Sequence, residues 1–515
     1  MLRSSAIRFL RAGLVRSIEW LAARPLLTLL SYVLAAFAMR WFSLRASVID
    51  WDETTYLLVA RALLQGHSLY AEVWDFKPPG IFWLLTGLEA LFDDAIVPLR
   101  VLGALLVAGS AYCLNRTLRL IAPAAGEAAF MGGLLFVSTL SFNGFSNAIG
   151  RGLGLEVNTE HFFIFFTCLA FWIGLRGRDQ PVRLLLAGLT LGAGFVVKYF
   201  VLVDFVLLAY AIAVWPQPGG RLRWLHFPGA KRLAGIAMLS IGFALPWLLA
   251  AGWFYAFSGH WDAFRAVTFH SGSGYASSLS ALRALRFAAD LLYLGGVTSL
   301  CMLAALVQAL GPARQLREGR IAKLLLLWLA ADFLAVCLPG KFFLHYLYQC
   351  FPPLCLLAGL LFSPALLPKE IARRRWLAAV TGFVLLCIPV VAALKIHFRF
   401  GQPDMPRRVA TYIERHADPQ RPIYVFNYPH VVYYLTDRLP PTRYVHPSIL
   451  SNPQHAQAAG VDIGREWERI FELQPQYVVY ATGSPHAEFE ARLSQEYRPE
   501  KKFPDGAMVY ARKSG

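Results

Sequence analysis

Charged residues are scarce in this chain, 16% of 515, where a soluble domain carries about 25%. With 57% of the residues hydrophobic, that scarcity excludes a soluble globular enzyme. It equally excludes a disordered scaffold, which needs low hydrophobicity. Acidic residues are the scarcer sign, 32 against 49 basic, for a net charge of +17. In a soluble chain that balance would point to nucleic acid. In an apolar chain it reflects basic residues gathered on the cytoplasmic side of a membrane, and no nucleic-acid partner is expected. The seven cysteines (Cys113, Cys168, Cys301, Cys337, Cys350, Cys355 and Cys387) form no CxxC pair and lie in or beside apolar runs. They read as small buried hydrophobes, with neither a disulfide framework nor a zinc site indicated. No Walker A and no HExxH sequence occurs, and GRGLG at 150–154 lacks the GxGxxG spacing. ATP-driven transport by this chain and a dinucleotide site are therefore not expected. No internal repeat and no low-complexity tract is present.

What the chain has instead is apolar blocks. Between 25 and 396 they run about 17–24 residues each, enough for a helix to cross a bilayer. Outer-membrane barrels are excluded, because their strands alternate and never run this long. The first 24 residues carry five arginines and one acid and read as a retained cytoplasmic tail. Spans are expected near 25–42, 99–120, 128–145, 161–175, 183–198, 200–215, 233–256, 289–311, 321–338, 343–366 and 376–396. The run 81–92, inside the long mixed stretch 43–98, is about 12 residues and too short to span comfortably.

The connections test this count. One set is basic: Arg116/Arg119, Arg176/Arg178/Arg183, Arg221/Arg223/Lys231/Arg232, Arg314/Arg317/Arg320/Lys323 and Lys369/Arg373/Arg374/Arg375. The alternate short connections carry one base each, Arg151, Lys198 and Lys341. Strict alternation is what the positive-inside rule predicts, and a span at 81–92 would invert it. The reading is a polytopic α-helical membrane protein of about eleven transmembrane helices. Its C-terminus lies outside. From 402 to 515 the character changes, with 14 basic against 13 acidic residues and short β-type runs at 423–426, 477–480 and 508–511. Helical patterns lie between, near 405–416 and 464–473. This segment reads as a small soluble α/β domain.

The base-poor loops hold an unusual polar set, all on the external side under this one topology. WDETTY at 51–56 and WDFKPPG at 74–80 supply Asp52, Glu53, Asp75 and Lys77. VNTEHF at 157–162 supplies Asn158 and Glu160; Lys198 stands at the next outer junction, and Lys341, His345 and Tyr346 at the last. A loop at about 258–288 adds Arg265, His270 and Tyr275. Each has an ordinary structural reading. Asp52 reads as an N-cap of the helical TTYLLVARALL, Asp75 and Lys77 as a surface ion pair, and Pro78-Pro79 as a helix start. Glu160 sits where a helix dipole favours an acid, Lys198 and Lys341 can snorkel, and His345 reads as a core histidine. Their co-occurrence at one membrane face favours function, since ionisable groups at membrane depth are costly. Carboxylates beside fixed cations suit a general base acting next to an anionic substrate.

The first of these loops, WDETTYLLVARALLQGHSLYAEVWDFKPPGIFWLL, resembles the first external loop of the GT-C membrane glycosyltransferases. More narrowly it resembles bacterial relatives of protein O-mannosyltransferase (family 39) and of the lipid A aminoarabinose transferase. NTEHFFIFF, GFVVKYF and GKFFLHYLYQCFPPLCLLAG are similar to their later acidic, lysine and "HY…PP" segments. IYVFNYPHVVYYLTDRLPPTRY resembles the external C-terminal domain of many bacterial members. The resemblance covers most of the chain. It implies a GT-C fold and inverting transfer of a sugar from a polyprenyl-phosphate carrier to an acceptor hydroxyl of a lipid, glycan or protein, at the outer face of a bacterial inner membrane. In that frame Asp52 is the base and Glu53 assists it. Lys77, Lys341, His345 and Lys198 hold the donor phosphate. Asp75, Asn158, Glu160 and Tyr346 bind substrate. A divalent metal is compatible but not obligatory, because a monophosphate carrier leaves no diphosphate to neutralise; relatives often have Asp where this chain has Glu160. Two other classes compete. A secondary transporter or flippase would show an inverted repeat and midplane polar residues. A non-catalytic scaffold presenting the C-terminal domain would not need these carboxylates and lysines.

Overall fold

The computed structural model describes residues 20–123, 126–141, 154–214, 229–271, 317–360, 401–481 and 486–513, with isolated positions at 281, 282, 285, 390, 394 and 397. The chain divides into two compact units.

The first unit comprises Met1–Leu44, Arg100–Ala250 and Ser278–Gly401. Its helices include Pro25–Arg40, Gly126–Ser141, Thr159–Arg176, Pro181–Val197, Val201–Val214, Arg317–Cys337 and Phe351–Leu360, and most of Ile96–Ile121 and Ala230–Ala256. Pro25 and Pro181 stand in the first turns of their helices, where a missing N–H costs nothing. Among the described residues, the segments Pro25–Arg45, Ile96–Ile121 and Ala230–Ala256 are long and apolar enough to cross a membrane. Leu26, Leu30 and Leu34 form an exposed stripe on the first helix, while Tyr32, Ala36 and Met39 are buried. That is the inverse of a soluble helix and suits lipid contact. The spans expected at 289–311 and 376–396 lie outside the described residues.

Without a hydrophobic force between helices, close packing in a bilayer relies on small residues. Gly188 of Pro181–Val197 and Gly242 of Ala230–Ala256 meet backbone to backbone. A methyl group on Gly188 would strike the Leu239 carbonyl, and one on Gly242 would strike that of Leu185. Buried polar groups also tie the unit together. The Arg40 guanidinium donates to the carbonyls of Leu140 (3.4 Å), Leu155 (3.0 Å), Glu156 (3.2 Å) and Gly154, anchoring the approach to the VNTEHF segment. Tyr348 Oη donates to Glu156 Oε1 at 2.7 Å.

The second unit comprises Arg45–Leu99, Ala251–Ser277 and Gln402–Gly515, so the first large loop and the C-terminal segment belong to one body. Its sheet has strands β1 (Ile423–Phe426), β2 (Tyr477–Ala481), β3 (Tyr497–Lys502) and β4 (Ala507–Arg512), in the order β1-β2-β4-β3. β1 and β2 are parallel, with Ile423 opposite Tyr477, and are buried apolar runs, as parallel pairs require. β4 is antiparallel to both of its neighbours. The helices Met405–His416 and Ile463–Glu472 are capped by Asp404 and Asp462, whose side chains accept from the backbone N–H groups of Arg407 and Arg465. The Asp404 carboxylate also accepts from Ser47 N (2.8 Å) and Ser47 Oγ (2.7 Å), joining the two ends of the chain that form this unit.

Elements here that were absent from the sequence reading include β3 and the helix Ala487–Glu496. β3 reads YRPEKK and is exposed after its first residue, so no apolar alternation marks it. The run expected at 81–92 is the helix Pro79–Glu89, 11 residues long. At 1.5 Å per residue it reaches about 16 Å, well short of the roughly 30 Å hydrocarbon core.

Candidate functional site

In the second unit the helix Trp51–Leu64 begins with a capping box. Asp50, not Asp52 as expected, is the N-cap; its side chain accepts from the Asp52 backbone N–H at 2.9 Å. Glu53 reaches back to the backbone N–H groups of Ile49 (2.8 Å) and Asp50 (3.4 Å). Glu53 is buried, and its carboxylate serves the helix start. With both cap positions filled by neighbours, Asp52 projects from the first turn for other work.

That work is an ion pair. Lys77 Nζ donates to Asp52 Oδ1 at 2.9 Å, and its side chain also lies 5.4 Å from the Tyr56 ring centroid. Lys77 is placed by its own loop. Its backbone N–H donates to Asp75 Oδ1 at 3.0 Å, its carbonyl accepts from Tyr70 Oη at 2.8 Å, and Trp74 N donates to the Arg443 carbonyl at 2.7 Å. Tyr70 itself holds a left-handed backbone, φ 68°, an uncommon conformation for a bulky side chain and one that marks functional loops. Asp75 is 1% exposed and 3.6 Å from Lys77 Nζ, so the pair expected at the surface is instead built around a buried carboxylate.

Two histidines that sequence reasoning missed complete this constellation. His446 Nε2 stands 3.3 Å from Asp52 Oδ1. His430 is buried, its Nε2 2.9 Å from Thr55 Oγ1. The Thr55 hydroxyl already donates to the Trp51 carbonyl at 3.0 Å, so His430 Nε2 carries the proton and donates to it. Burial, and secondarily the neighbouring His446, hold the His430 pKa well below that of a free imidazole. No spacing rule connects residue 52 with 430 or 446; only the tertiary fold does.

In the first unit the helix Thr159–Arg176 opens with Asn158 at its N-cap, fully buried, its N–H donating to His161 Nδ1 at 3.3 Å. Glu160 in the first turn pairs with Lys198, which stands just past the end of Pro181–Val197. Thr159 Oγ1 donates to the other Glu160 oxygen at 3.0 Å. Lys198 Nζ also lies 4.1 Å from the Tyr346 ring centroid, a cation–π contact. So Lys198 is engaged by a buried carboxylate, not snorkelling. His345 lies in the 3-10 turn Leu344–Cys350, not on an apolar α-helix, stacked on Phe343 with centroids 5.7 Å apart and edge-on to Tyr346 at 4.9 Å. Lys341 precedes this turn between two left-handed residues, Gly340 (φ 66°) and Phe342 (φ 55°). Burial pulls its pKa below that of a free lysine. The structure thus groups Asp52, Asp75 and Lys77 in one unit, and Glu160, Lys198 and Tyr346 in the other. Tyr275 and the His270 side chain lie outside the described residues. Among the described residues, no three His, Cys, Asp or Glu side chains gather as a metal cluster.

Residues 76–247, about a third of the chain, match the family model described as dolichyl-phosphate-mannose-protein mannosyltransferase. No curated protein matches the sequence. Among solved structures, ArnT from Cupriavidus metallidurans in the apo state aligns over 94% of this chain and 97% of its own, with TM-score 0.61 and 14% identity. The apo oligosaccharyltransferase of Archaeoglobus fulgidus aligns over 95% of this chain and 74% of its own, with TM-score 0.53 and 13% identity. The same enzyme tethered with an acceptor peptide gives the same coverage and identity, with TM-score 0.51. At these identities the likeness is one of fold.

Proposed function

We propose that this chain, a membrane glycosyltransferase of the GT-C fold with a dolichyl-phosphate-mannose-protein mannosyltransferase segment, moves a sugar from a polyprenyl-phosphate carrier to an acceptor hydroxyl at the external membrane face. The observation that carries the reading is the Asp52–Lys77 pair, a carboxylate 2.9 Å from a cation beside the start of the matched segment. The alternation of base-rich and base-poor loops supports the external placement.

The reaction follows as one displacement. The acceptor hydroxyl gives its proton to the Asp52 carboxylate as its oxygen attacks the anomeric carbon. The bond from that carbon to the phosphate oxygen breaks on the opposite face. Polyprenyl phosphate leaves with the electron pair, and the anomeric configuration inverts. Asp75 shapes the turn that presents Lys77, and Glu53 fixes the helix start that presents Asp52. Lys77 is assigned to the phosphate. Positive charge is required there because the departing phosphate gains negative charge in the transition state.

The test uses purified full-length protein in nanodiscs with a panel of polyprenyl-phosphate sugars, following release of polyprenyl phosphate. Turnover of one donor, by transfer or slow hydrolysis, is the expected result. Binding without turnover of any donor, in the presence of a membrane-extract acceptor fraction, would overturn the reading.

A further inference from the structure

Asp52 lies beside a histidine contributed from almost four hundred residues away in the chain but within the same compact unit. The ring of His446 has a defined polarity. The backbone N–H of Ser448 donates to its Nδ1 at 3.2 Å, and Ser448 Oγ lies 2.7 Å from the same nitrogen. A nitrogen that accepts a backbone N–H carries no proton of its own, so in the neutral ring the proton sits on Nε2. Nε2 is the atom 3.3 Å from Asp52 Oδ1. Ser448 is in turn backed by His455, whose Nδ1 lies 3.0 Å from Ser448 Oγ. The Trp51 ring lies 6.4 Å from the His446 ring and 6.3 Å, edge-on, from that of His430. His446 is only 16% exposed, so solvent competes weakly for its contact with Asp52.

We infer that His446 is a positioning residue for the transfer reaction: its Nε2–H, with Lys77 Nζ, holds the Asp52 carboxylate in one orientation and in its charged, proton-accepting form. The inference rests on the proposed role of Asp52. Two nitrogens lie against Oδ1: Lys77 Nζ donates to it at 2.9 Å, and His446 Nε2 stands within ion-pair distance at 3.3 Å. A carboxylate oxygen in contact with nitrogens from two different elements gives up one of these contacts when it rotates away. Lys77 alone would not secure this, because it also lies 3.6 Å from Asp75 and has a flexible stem. Among the described residues, the ionisable groups near Asp52 include Asp50 at the helix cap, Asp75 beyond Lys77 and the buried His430. It follows that the C-terminal segment contributes to the site, since it supplies a nitrogen in contact with the base.

The test compares wild type, His446→Ala and His446→Gln in the full chain in nanodiscs, with the donor that turns over. A Gln side chain carries an N–H near the position of Nε2. His446→Ala is expected to lower kcat about tenfold, the scale of a hydrogen bond to a charged group. The acid limb of its kcat/KM profile moves about one pH unit upward, because the charged form of the base has lost a donor. His446→Gln recovers most of kcat and returns the limb, and donor KM changes little in either variant. A His446→Ala enzyme with wild-type kcat and an unmoved limb overturns the inference. So does a His446→Gln enzyme as slow as the alanine variant with the limb unmoved, which is the signature of a merely structural histidine. If no donor turns over, the proposed function fails, and ¹⁵N-histidine spectra decide the inference separately. A His446 resonance pair with protonated Nε2 and bare Nδ1, displaced by Asp52→Asn, supports the bond. The opposite tautomer, or indifference to Asp52→Asn, contradicts it.

Discussion

Glu160 and Lys198 pair where both are largely removed from solvent, with side-chain exposures of 1% and 14%. Removing one member of such a pair strands the other charge, which costs far more than removing both. Lys198→Met is therefore expected to lower stability by about 3 kcal/mol, and the Glu160→Gln/Lys198→Met double variant to recover most of it. Thermal unfolding in detergent micelles reads both. The sequence showed the two residues as candidates because each is ionisable beside an apolar run. It did not show their pairing, which depends on the return of one helix alongside another.

His430 gives the chain a pH dependence of known sign. Its folded pKa is depressed, so below the unfolded value of about 6.5 the unfolded chain binds a proton that the folded chain resists. Stability attributable to this residue falls as pH drops below about 6.5, by up to about 1.4 kcal/mol per pH unit. Between pH 7.5 and 5.5 the unfolding midpoint of wild type should fall further than that of His430→Gln. Parallel profiles would show that the buried imidazole is not the cause.

At the scale of elements, the site rests on how helices start and cross. The Trp51–Leu64 helix frees Asp52 because Asp50 and Glu53 perform the capping. The acidic cluster in WDETTY was legible, but not its division of labour, since Asp50, Asp52 and Glu53 all suit a helix N-terminus. The Met405–His416 helix and the β1 run were legible to the residue, the first from its amphipathic period and the second from a buried apolar tetrad. β3 was not, because an edge strand rich in charge and carrying Pro499 has the composition of a loop. The helix crossing at Gly188 and Gly242 makes a further prediction. Gly188→Val should lower the unfolding midpoint by an amount corresponding to at least about 2 kcal/mol, from overpacking against the Leu239 carbonyl. Gly252→Ala, in the same helix as Gly242 but where an added methyl meets nothing within 4 Å, should not lower the midpoint and serves as the control.

At the scale of the whole molecule, the chain joins apolar helices suited to a bilayer with a polar body that includes the sheet. The class was legible from composition alone, since 57% hydrophobic residues in long blocks permit little else. That the loop 45–99 and the segment 402–515 form one unit was not legible. Ser47 on Asp404, Thr55 on His430 and Asp52 on His446 are contacts over more than 350 residues of sequence, and none leaves a periodic trace.

The central claim is that the Asp52 carboxylate is the base in sugar transfer. The measurement that tests it most directly is kcat for Asp52→Asn against wild type in nanodiscs, with donor binding followed in parallel. Asparagine keeps the size of the side chain and removes the proton-accepting charge. The account predicts that kcat falls at least about a hundredfold while the donor still binds. An Asp52→Asn enzyme turning over within about threefold of wild type would contradict it, because a single displacement with no base at Asp52 should not retain that rate.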